Sequence, residues 1–150
     1  MRNAMLLLAV LGLAGSLWAA NPFVGTWKMN PAKSKTSYPL EGSFTTKVDG
    51  QGNGIKVVED LVPANGNTVQ RRWTAKFDGK DYPIEGDPMM DSISLRKATS
   101  KMINYVVEKS GKQVASGKWV VSKDGKTSMD TGSAKIGDQV FTYNLSLEKQ

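Results

Sequence analysis

The sequence predicts an all-β protein, a single antiparallel up-and-down barrel of about eight to ten strands. Three observations carry that expectation. Apolar side chains after Asn21 recur with a period of two, the repeat of a half-buried strand. Gly, Asp, Asn and Pro punctuate these runs about every 8–12 residues, as hairpin turns do. No window carries an i, i+3, i+4, i+7 apolar stripe long enough for a helix. The chain has 150 residues, a length that suits one domain.

Residues 1–19 read differently from the rest. Met1 and Arg2 make a short positive start, Ala4 to Leu13 is almost wholly apolar, and small residues follow. This is the layout of a secretory signal peptide. Cleavage after Ala19 leaves Leu17 and Ala19 at the recognition positions, whereas cleavage after Ala20 would place bulky Trp18 there. As a retained anchor, the run falls short of the ~20 residues that span a bilayer. The expected mature domain is 20–150, secreted or periplasmic, with no stable membrane insertion once the leader is gone. Its loss of Arg2 lowers the formal charge from +6 to +5. With no cysteine, neither a disulfide nor a lipid-bearing thiol is available, so an apolar core alone must hold the fold.

The strands follow in order. Phe23 to Met29 comes first, and Ser43 to Val48 leads through the turn Asp49 to Gly54 into Ile55 to Val62. Pro63 to Asn67 turns the chain into Thr68 to Phe77, and Asp78-Gly79-Lys80 into Asp81 to Glu85. Ser92 to Lys97 follows a loop around Pro88. Met102 to Lys109 and Gln113 to Ser122 flank Ser110-Gly111-Lys112. Lys123 to Lys126 turns into Thr127 to Thr131, and Val140 to Glu148 closes the series. A meander of this length has two exposed edges unless it closes, and a barrel is the preferred closure over a two-sheet sandwich.

Alternation sorts the side chains into an inner and an outer face. The expected interior includes Val69, Arg71, Trp73, Ala75 and Phe77; Ile103, Tyr105 and Val107; Trp119 and Val121; and Phe141, Tyr143, Leu145 and Leu147. Arg71 is anomalous in that company. Inside, it needs an anionic partner, a protein carboxylate or a ligand headgroup. The plainer expectation places it near a strand end, reaching solvent past its neighbours.

Phe23-Val24-Gly25-Thr26-Trp27-Lys28 resembles the first strand of the lipocalin and fatty-acid-binding-protein (calycin) superfamily. It is especially similar to small secreted bacterial lipocalin-like proteins, which begin G-T-W-K, continue N-P-A-K-S-K (here Asn30 to Lys35) and carry D-G-K-D-Y-P (here Asp78 to Pro83). The resemblance implies a lipocalin-like barrel in which Gly25 lets the chain enter tightly and Trp27 plugs the closed end. Two features depart from the pattern. Asn30 to Gly42 contains Pro31 and Pro39 with no amphipathic period, so the helical lid of fatty-acid-binding proteins is not expected. The arginine that often stacks on the tryptophan from the last strand is replaced at best by Lys149. Both departures count against a deep, closed fatty-acid cavity.

Composition narrows the chemistry. With neither histidine nor cysteine, the chain lacks Ser-His and Cys-His nucleophile pairs and the common metal ligands. Asp49 to Gly54 partly mimics a calcium loop, but a glycine-rich hairpin accounts for the same residues. Glu59 and Asp60 are adjacent on a strand and point to opposite faces, so they make no acid–base pair. Asp87 and Asp91 bracket a loop and read as solvated turn residues. Met89 and Met90 either gate a barrel mouth or tuck into the core. Lysines are scattered through the turns rather than clustered with aromatics, which argues against nucleic acid.

The sequence therefore predicts a non-catalytic protein with no cofactor and no metal site. It is expected to bind a small apolar or amphipathic ligand inside the barrel, lined by Arg71, Trp73, Phe77, Tyr105, Trp119, Phe141 and Tyr143. The alternative is a filled barrel acting through its loops as a protein-interaction or inhibitor module.

Overall fold

The computed structural model describes residues 20–37, 42–63 and 67–150. The expected leader lies outside the described residues. Among the described residues eleven strands run β1 (Gly25–Met29), β2 (Lys35–Thr36), β3 (Gly42–Gln51), β4 (Gly54–Pro63), β5 (Val69–Lys76), β6 (Asp78–Glu85), β7 (Ser92–Thr99), β8 (Met102–Lys109), β9 (Lys112–Val121), β10 (Thr127–Ile136) and β11 (Gln139–Lys149). From β3 onward each pairs antiparallel with the next, and β1 pairs with both β3 and β11. That last pairing closes the sheet into a barrel and settles the choice against a sandwich.

β2 is an element the period could not reveal, being only two residues long. It lies on β11 through Tyr143↔Thr36, further along from where β1 pairs through Met29↔Leu147. The two strands are parts of one wall position, so the described barrel has ten. Between them Pro31–Lys33 forms a single 3-10 turn, capped by the Asn30 side chain, which accepts from the Ala32 N–H at 3.1 Å. Proline at the first helical position suits this short turn. Among the described residues of 30–42 there is no α-helical lid.

One seam is thin. β5 and β6 share only the pairs Arg72↔Glu85 and Trp73↔Ile84, while β4 and β5 pair over eight positions. β10 runs further than its alternation suggested, to Ile136 rather than Thr131.

The strands alternate in direction, so the turns after β3, β5, β7 and β9 gather at one end and those after β4, β6, β8 and β10 at the other. The first end is plugged. Trp27 is fully buried there and its Nε1–H donates to the Phe23 carbonyl at 2.9 Å. Phe23 and Trp27 both meet the Trp119 ring edge-on, at centroid distances of 4.9 and 5.8 Å. Gly25 has φ +137°, and a Cβ there would sit 3.0 Å from Lys149 Cε. The Lys149 ammonium lies 5.0 Å from the Trp27 ring centroid, a cation–π contact from the last strand. Burying each such large side chain stabilises by about 1.5–3 kcal/mol, which is how a chain without cross-links keeps this end shut.

Candidate functional site: the barrel interior

Above the plug the interior is not filled. A cavity of 280 Å³ runs toward the other end, with Ile55, Leu95, Ile103 and Leu147 low in its wall and Leu61, Met90, Ala134 and Ile136 high. It is mainly apolar, because the inward face of every strand from β3 to β11 supplies it. Besides threonines such as Thr46, two clusters of ionisable side chains interrupt that lining.

The first is built on Arg71. Register places Glu59 of β4 directly across from Arg71 of β5. Arg71 Nε lies 3.0 Å from Glu59 Oε2, and its Nη1 lies 3.5 Å from Asp87 Oδ2 and 3.1 Å from Met90 Sδ. The Nε–H has no acceptor in line, so the contact with Glu59 is an ion pair without an aligned hydrogen bond. Side-chain exposures of 17%, 19% and 10% for Arg71, Glu59 and Asp87 place the triad inside. This corrects two expectations. Arg71 does not reach past the strand end to solvent; it turns inward in phase with Trp73 and Ala75, and Glu59 and Asp87 hold it there. Asp87 is not simply a solvated turn residue: Oδ1 caps its turn by accepting from Met89 N–H at 2.8 Å while Oδ2 neutralises Arg71. Asp91 keeps a turn role, accepting from the Ser110 N–H at 2.8 Å. Of the methionines, Met90 packs against the core and Met89 is exposed.

The second group joins three strands. Tyr105 of β8 donates to Asp130 Oδ1 of β10 at 2.6 Å, and Tyr143 of β11 hydrogen-bonds the Tyr105 hydroxyl. With the Tyr105 proton committed to Asp130, Tyr143 is the donor to Tyr105, so the protons run toward the carboxylate. Two glycines make room for the phenols. Gly117 and Gly132 face each other across β9 and β10. A Cβ on Gly117 would lie 2.5 Å from Tyr105 Oη, and one on Gly132 2.5 Å from Tyr143 Oη.

Burial dominates the electrostatics. Desolvation pushes the Asp130 carboxyl up to about 7; the Tyr105 hydrogen bond opposes the shift, Glu59 adds to it, and Arg71 also opposes it. Desolvation, reinforced by the Asp130 charge, raises Tyr143 to about 12 and Tyr105 further still. Both phenols are therefore neutral donors at any working pH.

Six of the seven residues expected to line a site do border the cavity: Arg71, Trp73, Tyr105, Trp119, Phe141 and Tyr143. Phe77 does not. It follows β5 at the plugged end, packs against the core and carries the Lys97 ammonium 5.1 Å from its ring centroid. Sequence reasoning missed Glu59, Asp87 and Asp130. Glu59 was recoverable from register, since Arg71 asks for an acid directly across its hairpin. Asp130 shares the phase of Ala134 and Ile136, a signal lost once the strand is ended at Thr131. Among the described residues no set of acidic side chains is grouped to hold a metal ion.

The barrel closure and the interior can be set beside known proteins. Zebrafish ileal bile acid-binding protein, solved in complex with cholic acid, superposes with a TM-score of 0.56 at 11% identity, over 86% of this chain and 99% of that one. The fold is the calycin fold. Two calycins of lower similarity are apocrustacyanin C2 (TM-score 0.48, 11% identity, 90% of this chain and 64% of that one) and lobster apocrustacyanin A1 (0.48, 12%, 88% and 63%). No protein-family model and no curated protein matches the sequence.

Proposed function

We propose that this protein is an exported, non-catalytic binding protein that holds a small apolar or amphipathic molecule in its barrel. The observation that carries this reading is the cavity itself, 280 Å³ walled by Trp73, Trp119, Phe141, Tyr105 and Tyr143 around a few placed polar groups. Its size falls just below the roughly 300–1,000 Å³ range of small-molecule sites, which suits a small ligand. A filled barrel working only through its loops would have no such space. The likeness to a bile acid-binding protein supports a binding role at the level of fold. Export rests on the leader-like residues 1–19, and no helix among the described residues is long and apolar enough to cross a membrane.

Native mass spectrometry of protein purified from its own host tests the proposal, followed by tryptophan fluorescence across a lipid panel. A co-purifying small molecule, or a saturable shift with one lipid class, is the expected outcome. Clean protein together with an unresponsive emission spectrum would refute it.

A further inference from the structure

The charges inside the barrel do not balance, and the imbalance says what kind of polar group fits. Among the described residues that border the cavity Arg71 is the one cation, and Glu59 and Asp87 already contact it. Two carboxylates already meet the guanidinium charge, so an anionic headgroup brought beside it would also face Glu59 and Asp87. Asp130 adds a third carboxyl, half-buried, on the cavity wall. Among the described residues it receives one hydrogen bond, from Tyr105 to Oδ1. A carboxylate can accept about four, so Asp130, which borders the cavity, keeps acceptor capacity that no described side chain takes up. Tyr105 and Tyr143 spend their protons on this chain and present no free donor either. With its acids ionised, the interior carries three negative charges against one positive.

We propose that the cavity selects an amphipathic molecule whose polar end is a hydrogen-bond-donating cation, a protonated amine, received by the Asp130 carboxylate while its apolar body lies along Trp73, Trp119 and Phe141. This rests on the binding reading above and narrows it. A protonated amine supplies the donor Asp130 lacks and brings the interior closer to neutral. A carboxylate-headed amphiphile of equal length would add a fourth negative charge in a poorly solvated space. An alcohol would be tolerated, giving a hydrogen bond without charge.

The groups facing Asp130 set its pH response: Tyr105 from β8, Tyr143 from β11, Glu59 from β4, and Arg71 from β5 with Asp87 beyond it. The phenols stay neutral, so ionisation of Asp130 near pH 7 governs the amine's hold as pH rises from 6 to 8.

The test is isothermal titration of the protein with decylamine, decanol and decanoate, each below its micelle concentration, at pH 8 and pH 6. Decylamine should bind at least tenfold more tightly than decanol at pH 8, decanoate most weakly, and the amine-to-alcohol ratio should fall at pH 6. Asp130→Asn should collapse the ratio at pH 8. If that variant does not fold, the wild-type ratio at the two pH values still decides the matter. Decanoate binding as tightly as decylamine, or a ratio indifferent to both pH and Asp130→Asn, would overturn the inference and leave the binding reading intact. No binding of any of the three would likewise overturn the inference, while the binding reading stands or falls on the lipid panel.

Discussion

Replacing Asp130 by Asn keeps the shape of the side chain and the acceptor for Tyr105 while removing a titrating group. Its carboxyl is raised to about 7 by burial, whereas an unfolded aspartate titrates near 3.9. Between those values the folded chain holds a proton that the unfolded chain has released. Stability therefore falls as pH rises from about 4 to about 7, and levels off above. Each unit of displacement is worth about 1.4 kcal/mol, so the full descent amounts to about 4 kcal/mol. Urea unfolding of wild type and Asp130→Asn at intervals from pH 4 to 8 isolates this contribution, because the other carboxyls cancel in the difference. The two proteins should be nearly equal at pH 4, and the variant more stable by up to about 4 kcal/mol at pH 8. Asp78 and Asp124, exposed and held below the usual carboxylate range chiefly by the Tyr82 and Lys126 hydrogen bonds respectively, act in the opposite sense and only below about pH 4. A stability difference that does not change with pH would refute the assignment of Asp130 as a buried, incompletely solvated acid.

Other substitutions probe other parts of the account. Arg71→Leu strands Glu59 and Asp87 without their cation and should cost about 3 kcal/mol in urea melts, with part recovered by adding Glu59→Gln. Gly117→Ala drives a methyl to 2.5 Å from both the Tyr105 hydroxyl and the Thr131 carbonyl, and should cost about 1–3 kcal/mol in the same assay. Trp27→Ala opens the plug and should cost about 3–5 kcal/mol, visible as a large drop in thermal midpoint.

Much of the architecture was legible because strands announce themselves locally. A period of two and turns such as Asp78-Gly79 need no knowledge of distant residues, and the starts of β7 and β8 fall where the alternation begins. What escaped depends on partners far along the chain. β2 is too short to show a period and exists because β11 lies beside it. β10 was cut short because Gly132 and Ser133 break the apolar pattern, yet Gly132 is there to seat the Tyr143 hydroxyl. The ring that explains the glycine is eleven residues away in sequence and adjacent only in register. For the site, phase identified the inward residues but not their height in the barrel. Phe77 shares the phase of Trp73 and still falls below the cavity. Polar interior residues are hardest to see, since Glu59 and Asp130 read like surface positions until Arg71 and Tyr105 are known to face them.

The central claim is that the interior takes up a small apolar molecule. Titration with the neutral fluorophore N-phenyl-1-naphthylamine, on wild type and on Ala134→Trp, tests it most directly, because Ala134 borders the cavity near its open end. Saturable one-to-one enhancement by the wild type, weakened at least tenfold by the folded Ala134→Trp variant, is the predicted result. Enhancement that never saturates, or that the bulky indole leaves untouched, would contradict it.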